Sequence, residues 1–197
     1  WFRELAKIAQ VHVTLGNHDG LILNPDREDA ISPIINAIGE KNIILHKKSG
    51  SFPIKCEGLE ADYNLCVFSC FDEAGWKNVK PVKGATNIAT FHGPVHGSET
   101  DSSWALDCST PVSFFEGFDY ALLGDIHKQQ FLTEGIAYCG STIQQNYGET
   151  PGKGFLFWKI NKDSCEARHV GVYHNAPFVT LDYDDDIDAL QGRVEEF

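Results

Sequence analysis

Short apolar runs closed by glycine, asparagine, aspartate or histidine recur along this chain and set its expected architecture. Phe2, Leu5 and Ile8 share one face of the opening segment, with Arg3, Glu4 and Lys7 elsewhere, which predicts a helix over residues 1–10. Residues 11–15 read as a short buried strand. A turn and helix start at 25–29 lead to Ile31, Ile34, Ile35 and Ile38, an apolar helix face that ends at Gly39. Strands are expected at 43–45, 52–55 and 65–69. Residues 72–79 read as loop or short helix, because Gly75 interrupts them. Residues 87–91 form a buried strand that empties into His92-Gly93-Pro94-Val95-His96-Gly97. The Ser-, Thr- and Asp-rich stretch 97–110 predicts a long surface loop, followed by a short helix at 111–116 with proline at its start. Residues 120–123 form another buried strand, ending in Gly124-Asp125-Ile126-His127. Antiparallel strands are expected at 130–133, 136–138, 155–160 and 165–172, and one more at 178–183.

Composition narrows the class. With 197 residues, 42% hydrophobic and 22% charged, the chain suits one domain and part of a second. No apolar run approaches the roughly 20 residues of a membrane helix, and the opening residues do not read as a signal peptide. A net charge of −12 argues against a broad basic surface for nucleic acid, yet is compatible with carboxylates that hold cations which then meet a phosphate. The six cysteines form no Cys-x-x-Cys pair, which disfavours a zinc ribbon and predicts reduced, mostly buried thiols of a cytosolic-type compartment. Methionine is absent throughout, so the chain is expected to be a segment of a longer protein. An acidic shift near Asn175 divides it into 1–174 and 175–197.

The candidate chemistry sits just past three of the buried strands. Gly16-Asn17-His18-Asp19-Gly20 places an amide, an imidazole and a carboxylate on one tight turn: Asn17 can offer oxygen to a hard cation, His18 can bind or donate a proton, and Asp19 can orient that imidazole. His92 follows the second strand, and Asp125 and His127 follow the third. Oxygen and imidazole donors mixed in this way suit Mn, Fe or Zn better than Ca or Mg. Asp125 and His127, two apart in extended chain, leave on the same side and can serve one ion or two. Two ions about 3.5–4 Å apart can clamp both oxygens of a phosphoester displacement, with a bridging hydroxide as nucleophile. His12, His46, His169 and His174 lack this setting and read as structural. His96 shares a loop with His92 and stays open, and Lys128 reads as a solvated charge that could touch phosphate.

These segments resemble the later motifs of the calcineurin-like metallophosphoesterases. The order Gly124-Asp125-Ile126-His127-Lys128-Gln129-Gln130, then Ala137-Tyr138-Cys139-Gly140-Ser141, then Gly152-Lys153-Gly154-Phe155 is similar to the SbcD-like branch of DNA double-strand-break repair exonucleases, phage recombination nuclease subunits included. The likeness covers roughly residues 1–172. It implies a four-layered α/β metallophosphoesterase sandwich flanked by helices, truncated on its N-terminal side, with the start of a capping domain from 175. It implies two divalent metal ions, Mn first and Fe, Zn or Mg as alternatives. Asn17, His92 and Asp125 would bind one ion and His127 the other; His18 would stabilise the transition state or protonate the leaving oxygen, with Asp19 behind it. DNA, an SbcC-like ABC-type ATPase and a homodimer are the implied partners, in the cytoplasm of a bacterial or virus-infected cell, with a nuclear setting as alternative.

Two departures qualify the likeness. Asp125 stands where the family usually has histidine, which implies altered affinity. The family's first two motifs, Asp-x-His and Gly-Asp-x-x-Asp, are absent, which leaves about half a site in these residues. Rival readings are another calcineurin-like phosphoesterase, acting on phosphoproteins or nucleotides, and a non-catalytic scaffold of the same fold.

Overall fold

The computed structural model describes residues 1–180 and Gln191, apart from 25, 56, 57, 59–61, 162 and 163. The protein is a mixed α/β molecule with few helices. Its largest element is a six-stranded mixed sheet in the order β3 (Gly50–Ile54), β4 (Tyr63–Phe68), β5 (Thr86–His92), β6 (Tyr120–Gly124), β8 (Ile136–Tyr138), β7 (Gln130–Thr133). The four inner strands β4, β5, β6 and β8 run parallel; β3 and β7 close the edges antiparallel. The inner strands are near-continuous apolar runs because both faces of the sheet are covered. Cys66, Phe68, Ala89, Phe91, Ala121, Leu123 and Tyr138 point to one face, under Trp76, Phe114 and Phe115 from two 3-10 turns, Glu73–Asn78 and Val112–Phe115. Leu65, Val67 and Ile88 point to the other, against β9 (Gly154–Ile160), which forms an antiparallel hairpin with β10 (Cys165–Gly171). This is the two-residue alternation of a pleated strand, read twice.

A smaller unit comes first in the chain. Strand β1 (Val11–Thr14) pairs in parallel with β2 (Ile43–His46), and the crossover between them contains α2 (Ser32–Ile38). Ile35, Ile43 and Ala6 of α1 (Phe2–Ala6) make its core. Helix α1 is shorter than the expected 1–10: Val11 N–H is drawn to Asn42 O at 2.7 Å as β1 begins, and Ile8 is left exposed. Helix α2 starts late, at Ser32, because the buried Asp29 carboxylate accepts from Ile31 N–H and Ser32 N–H at 2.9 and 2.6 Å. It ends as expected at Gly39, whose φ of 68° is the left-handed cap that glycine adopts freely. Ile34, assigned to the apolar face, is half exposed.

Three further expectations change. Phe178–Thr180 is not a strand. The Gln144 side chain takes the role of a partner strand there, accepting from Phe178 N–H at 3.0 Å and donating to Phe178 O at 3.2 Å. Residues 181–183 of that expected strand, and 181–190 and 192–197 of the acidic segment, lie outside the described residues, as do Pro25 and Cys56. The thiols are less buried than expected: Cys66 and Cys70 are buried, Cys108 is intermediate, and Cys139 and Cys165 are exposed, all five unbridged. The loop 97–110 is not wholly surface, since Ser98 is fully buried. Among the described residues no helix is long and apolar enough to cross a membrane.

His12 and His46 face each other across the β1–β2 pair, their rings stacked with centroids 5.1 Å apart and Nδ1 of one 2.8 Å from Nε2 of the other. Burial, reinforced by His12, lowers His46 from the usual 6.5 to about 4; burial also lowers His12. Below pH 6.5 the unfolded chain therefore takes up protons that the folded one refuses, so folding stability is full above 6.5 and falls toward pH 4. Chemical denaturation of His46→Phe beside the native protein across that range should show a shallower fall in the variant.

Candidate functional site

Parallel pairing brings the carboxyl ends of β4, β5 and β6 to one edge of the large sheet, where ligands of open α/β sheets bind. The carboxyl end of β1 meets that same edge. Cys70 Sγ donates to Leu15 O at 3.5 Å, and Ser69 Oγ donates to Lys47 O at 2.9 Å. At the centre of the junction lies the His92 ring. A Cβ placed on Gly16 would stand 2.7 Å from His92 Cε1, and one on Gly124 would stand 2.9 Å from His92 Nδ1. Both positions are glycine because the imidazole occupies the space that any side chain would need.

Three of the expected residues converge here. His92 Nε2 lies 3.2 Å from Asn17 Oδ1 and 3.6 Å from Asp125 Oδ1, and Asn17 Nδ2 donates to Asp125 Oδ1 at 3.4 Å. The trio thus presents an amide oxygen, an imidazole nitrogen and a carboxylate oxygen at one point. Burial lowers the His92 pKa; nearby Asp125 and Asp19 oppose that, while His18 and His127 add to it. The neutral ring is the form favoured at neutral pH, with Nε2 directed at the Asn17 and Asp125 oxygens. Asp125 has φ 90°, one of two non-glycine residues with positive φ among those described. Backbone strain of this kind, located where the three candidate side chains meet, costs on the order of 1–3 kcal/mol.

The remaining expected residues are arranged around the trio. His18 is exposed beside it. The Asp19 carboxylate accepts Gly16 N–H at 2.6 Å and closes the turn on itself instead of holding the His18 ring. His127 lines, together with Asp125, a cleft of about 300 Å³. His96 pairs with Asp107 in an exposed position, Lys128 donates to Glu99 at 2.6 Å, and neither joins the site. Tyr138, fully buried and pushed by burial up to about 12, stays a neutral phenol and donates to Gly93 O at 2.8 Å, fixing the chain just after His92.

Glu149, Lys153 and Asp101, none of them marked by the pattern of strand ends, lie behind His127. Its Nδ1 is 2.8 Å from Oε1 of the buried Glu149. Lys153, also buried, reaches Glu149 Oε2 and Asp101 Oδ2 at 2.9 Å each and His127 O at 3.1 Å, using all three ammonium donors. Burial pushes Glu149 upward, but the bonds from His127 and Lys153 prevail and its pKa is lowered; Asp101 is lowered against burial in the same way by Lys153. The available signals were the four-residue spacing of Glu149 and Lys153 and a lysine held between two glycines.

Among the described residues no three His, Cys, Asp or Glu side chains meet as a metal cluster; the convergent trio includes an amide. Its donors fit, in chemistry and spacing, part of the roughly four to six that a mid-row divalent cation takes.

No family model matches the chain. A protein of Acanthamoeba polyphaga mimivirus described as uncharacterized is 36% identical over 182 residues, a match that covers 84% of this chain. The chain spans 13% of that relative's length.

Replacing Asp125 by Gly removes the strain at φ 90° and should stabilise the fold by about 1 kcal/mol in chemical denaturation, glycine's own entropy offsetting part of the relief. Gly16→Ala should cost about 1–3 kcal/mol and displace the His92 ring, seen as a change in the His92 resonances.

Proposed function

We propose that this chain belongs to a metal-dependent phosphodiesterase that hydrolyses DNA, built on a calcineurin-like metallophosphoesterase sandwich of the SbcD-like branch. One observation carries the reading: Asn17, His92 and Asp125 converge where three parallel-sheet strands end, with glycines giving His92 its room. A satisfied core histidine needs neither an amide–carboxylate pair around it nor a strained aspartate. Asn17, His92 and Asp125 would hold one cation, manganese first, and His127 a second. When bound, such ions supply Lewis-acid activation of water and neutralise phosphate charge. His18, exposed beside His92, is the proton donor to the leaving oxygen, and Asp19 sets the turn that carries it.

The DNA assignment rests on the Gly124–Gln130, Ala137–Ser141 and Gly152–Phe155 segments and their resemblance to the SbcD-like enzymes. A net charge of −12 fits an arrangement in which an SbcC-like ABC-type ATPase supplies the DNA-binding surface. The mimivirus source of the 36%-identical relative fits action in virus-infected cells.

The test is cleavage of linear double-stranded DNA by the reading frame that contains these residues, with manganese, with chelator, and as His92→Ala. Cleavage should need manganese, stop on chelation, and fall by at least about 100-fold in the variant. Turnover of an aryl phosphodiester without DNA cleavage would move the substrate to another phosphodiester. Inactivity of the folded, manganese-loaded protein on both would leave the scaffold reading.

A further inference from the structure

The Glu149–Lys153–Asp101 network is buried, charged and unused by the reaction so far described, yet it ends on the ring of His127. Glu149 has no lone pair to spare: Oε1 takes His127 Nδ1 at 2.8 Å and Asn146 Nδ2 at 3.2 Å, while Oε2 takes Lys153 Nζ at 2.9 Å and Gln145 N–H at 3.2 Å. Lys153 in turn binds Asp101 and the backbone carbonyl of His127 itself, so that both ends of the histidine residue are held by one network. An ionised carboxylate only accepts, so the proton of the contact must sit on His127 Nδ1. A neutral imidazole in water favours the other tautomer, with the proton on Nε2. The contact therefore selects the less common form.

We propose that Glu149 is a positioning residue that holds His127 as the Nδ1–H tautomer and so leaves the Nε2 lone pair available as a cation donor. This rests on the reading of His127 as a ligand of the second ion and deepens it. Glu149, anchored by Lys153, sets both which nitrogen is available and how the ring is turned. Asp101 ties the anchor to the loop that follows His96, so the 97–110 loop and the 146–154 segment are fastened to the same side chain. Removing Glu149 leaves Lys153 paired with Asp101, so no buried charge is stranded by the substitution.

The measurement is long-range proton–nitrogen NMR on metal-free protein labelled with 15N in histidine, at mildly alkaline pH, with His127→Gln to identify the signal. The native protein should show a protonated Nδ1 and a bare Nε2; a protonated Nε2 overturns the proposal. In Glu149→Ala the ring should shift largely to the Nε2–H form, and an unchanged tautomer there overturns it too. If that variant loses amide dispersion, Glu149→Asp, which keeps the charge opposite Lys153 but withdraws the oxygen, is read by the same two outcomes. Manganese titration of the folded variant should show binding loosened about 10–100-fold relative to the native protein. Because the tautomer is read without metal, DNA cleavage with the wrong tautomer sinks only this inference. The right tautomer without hydrolysis sinks only the proposed reaction.

Discussion

Everything at the site depends on how closely two strand ends approach each other around one imidazole. The His92 ring fills the gap between Gly16, after β1, and Gly124, at the end of β6, and a methyl group at either position would overlap it. That contact couples the small β1–β2 pair to the six-stranded sheet, and the Cys70–Leu15 and Ser69–Lys47 bonds lie beside it. Without it, Asn17 and Asp125, 108 positions apart in sequence, would have no reason to meet. Directly after Gly124 the chain takes the unfavourable φ of Asp125, so local strain sits beside the same contact.

The site is then supported differently on its two sides. The Asn17–His92–Asp125 trio is held by backbone: a tight turn closed by Asp19 on Gly16 N–H, and the Tyr138 phenol on Gly93 O. His127 is held by charge, through the buried Glu149 and Lys153 and through Asp101, whose side chain is 7% exposed. Burying three charges is costly unless each is fully paired, and here each carboxylate and the ammonium has its partners. A network of that kind contributes little net stability for its desolvation cost; what it provides is a fixed ring on a residue that is otherwise part exposed.

Periodicity alone located most of the strands, because an inner parallel strand buried on both faces has to be largely apolar, as the middles of β4, β5 and β6 are. It also placed Asn17, His92, Asp125 and His127 just past strand ends, since those residues interrupt the apolar runs. Where it failed, a side chain from far away had replaced the local pattern. Gln144 took a partner strand's place at Phe178, and Asp29 set the start of α2. The pull of β2 on Val11 cut short the first helix. None of these three leaves a periodic mark.

The sequence by itself determined the α/β character, the strand ends and the residue types gathered there, because burial and turn chemistry act within a few residues of each position. Only the tertiary structure decided which of those residues touch. It set Asn17 and Asp125 around His92, turned the Asp19 carboxylate to Gly16 N–H, and left His96 and Lys128 outside. It also brought Glu149, Lys153 and Asp101 behind His127, which requires loops 97–110 and 146–154 to pack together. Contacts across such separations follow from sheet order and loop packing, and neither is written in the spacing of apolar residues.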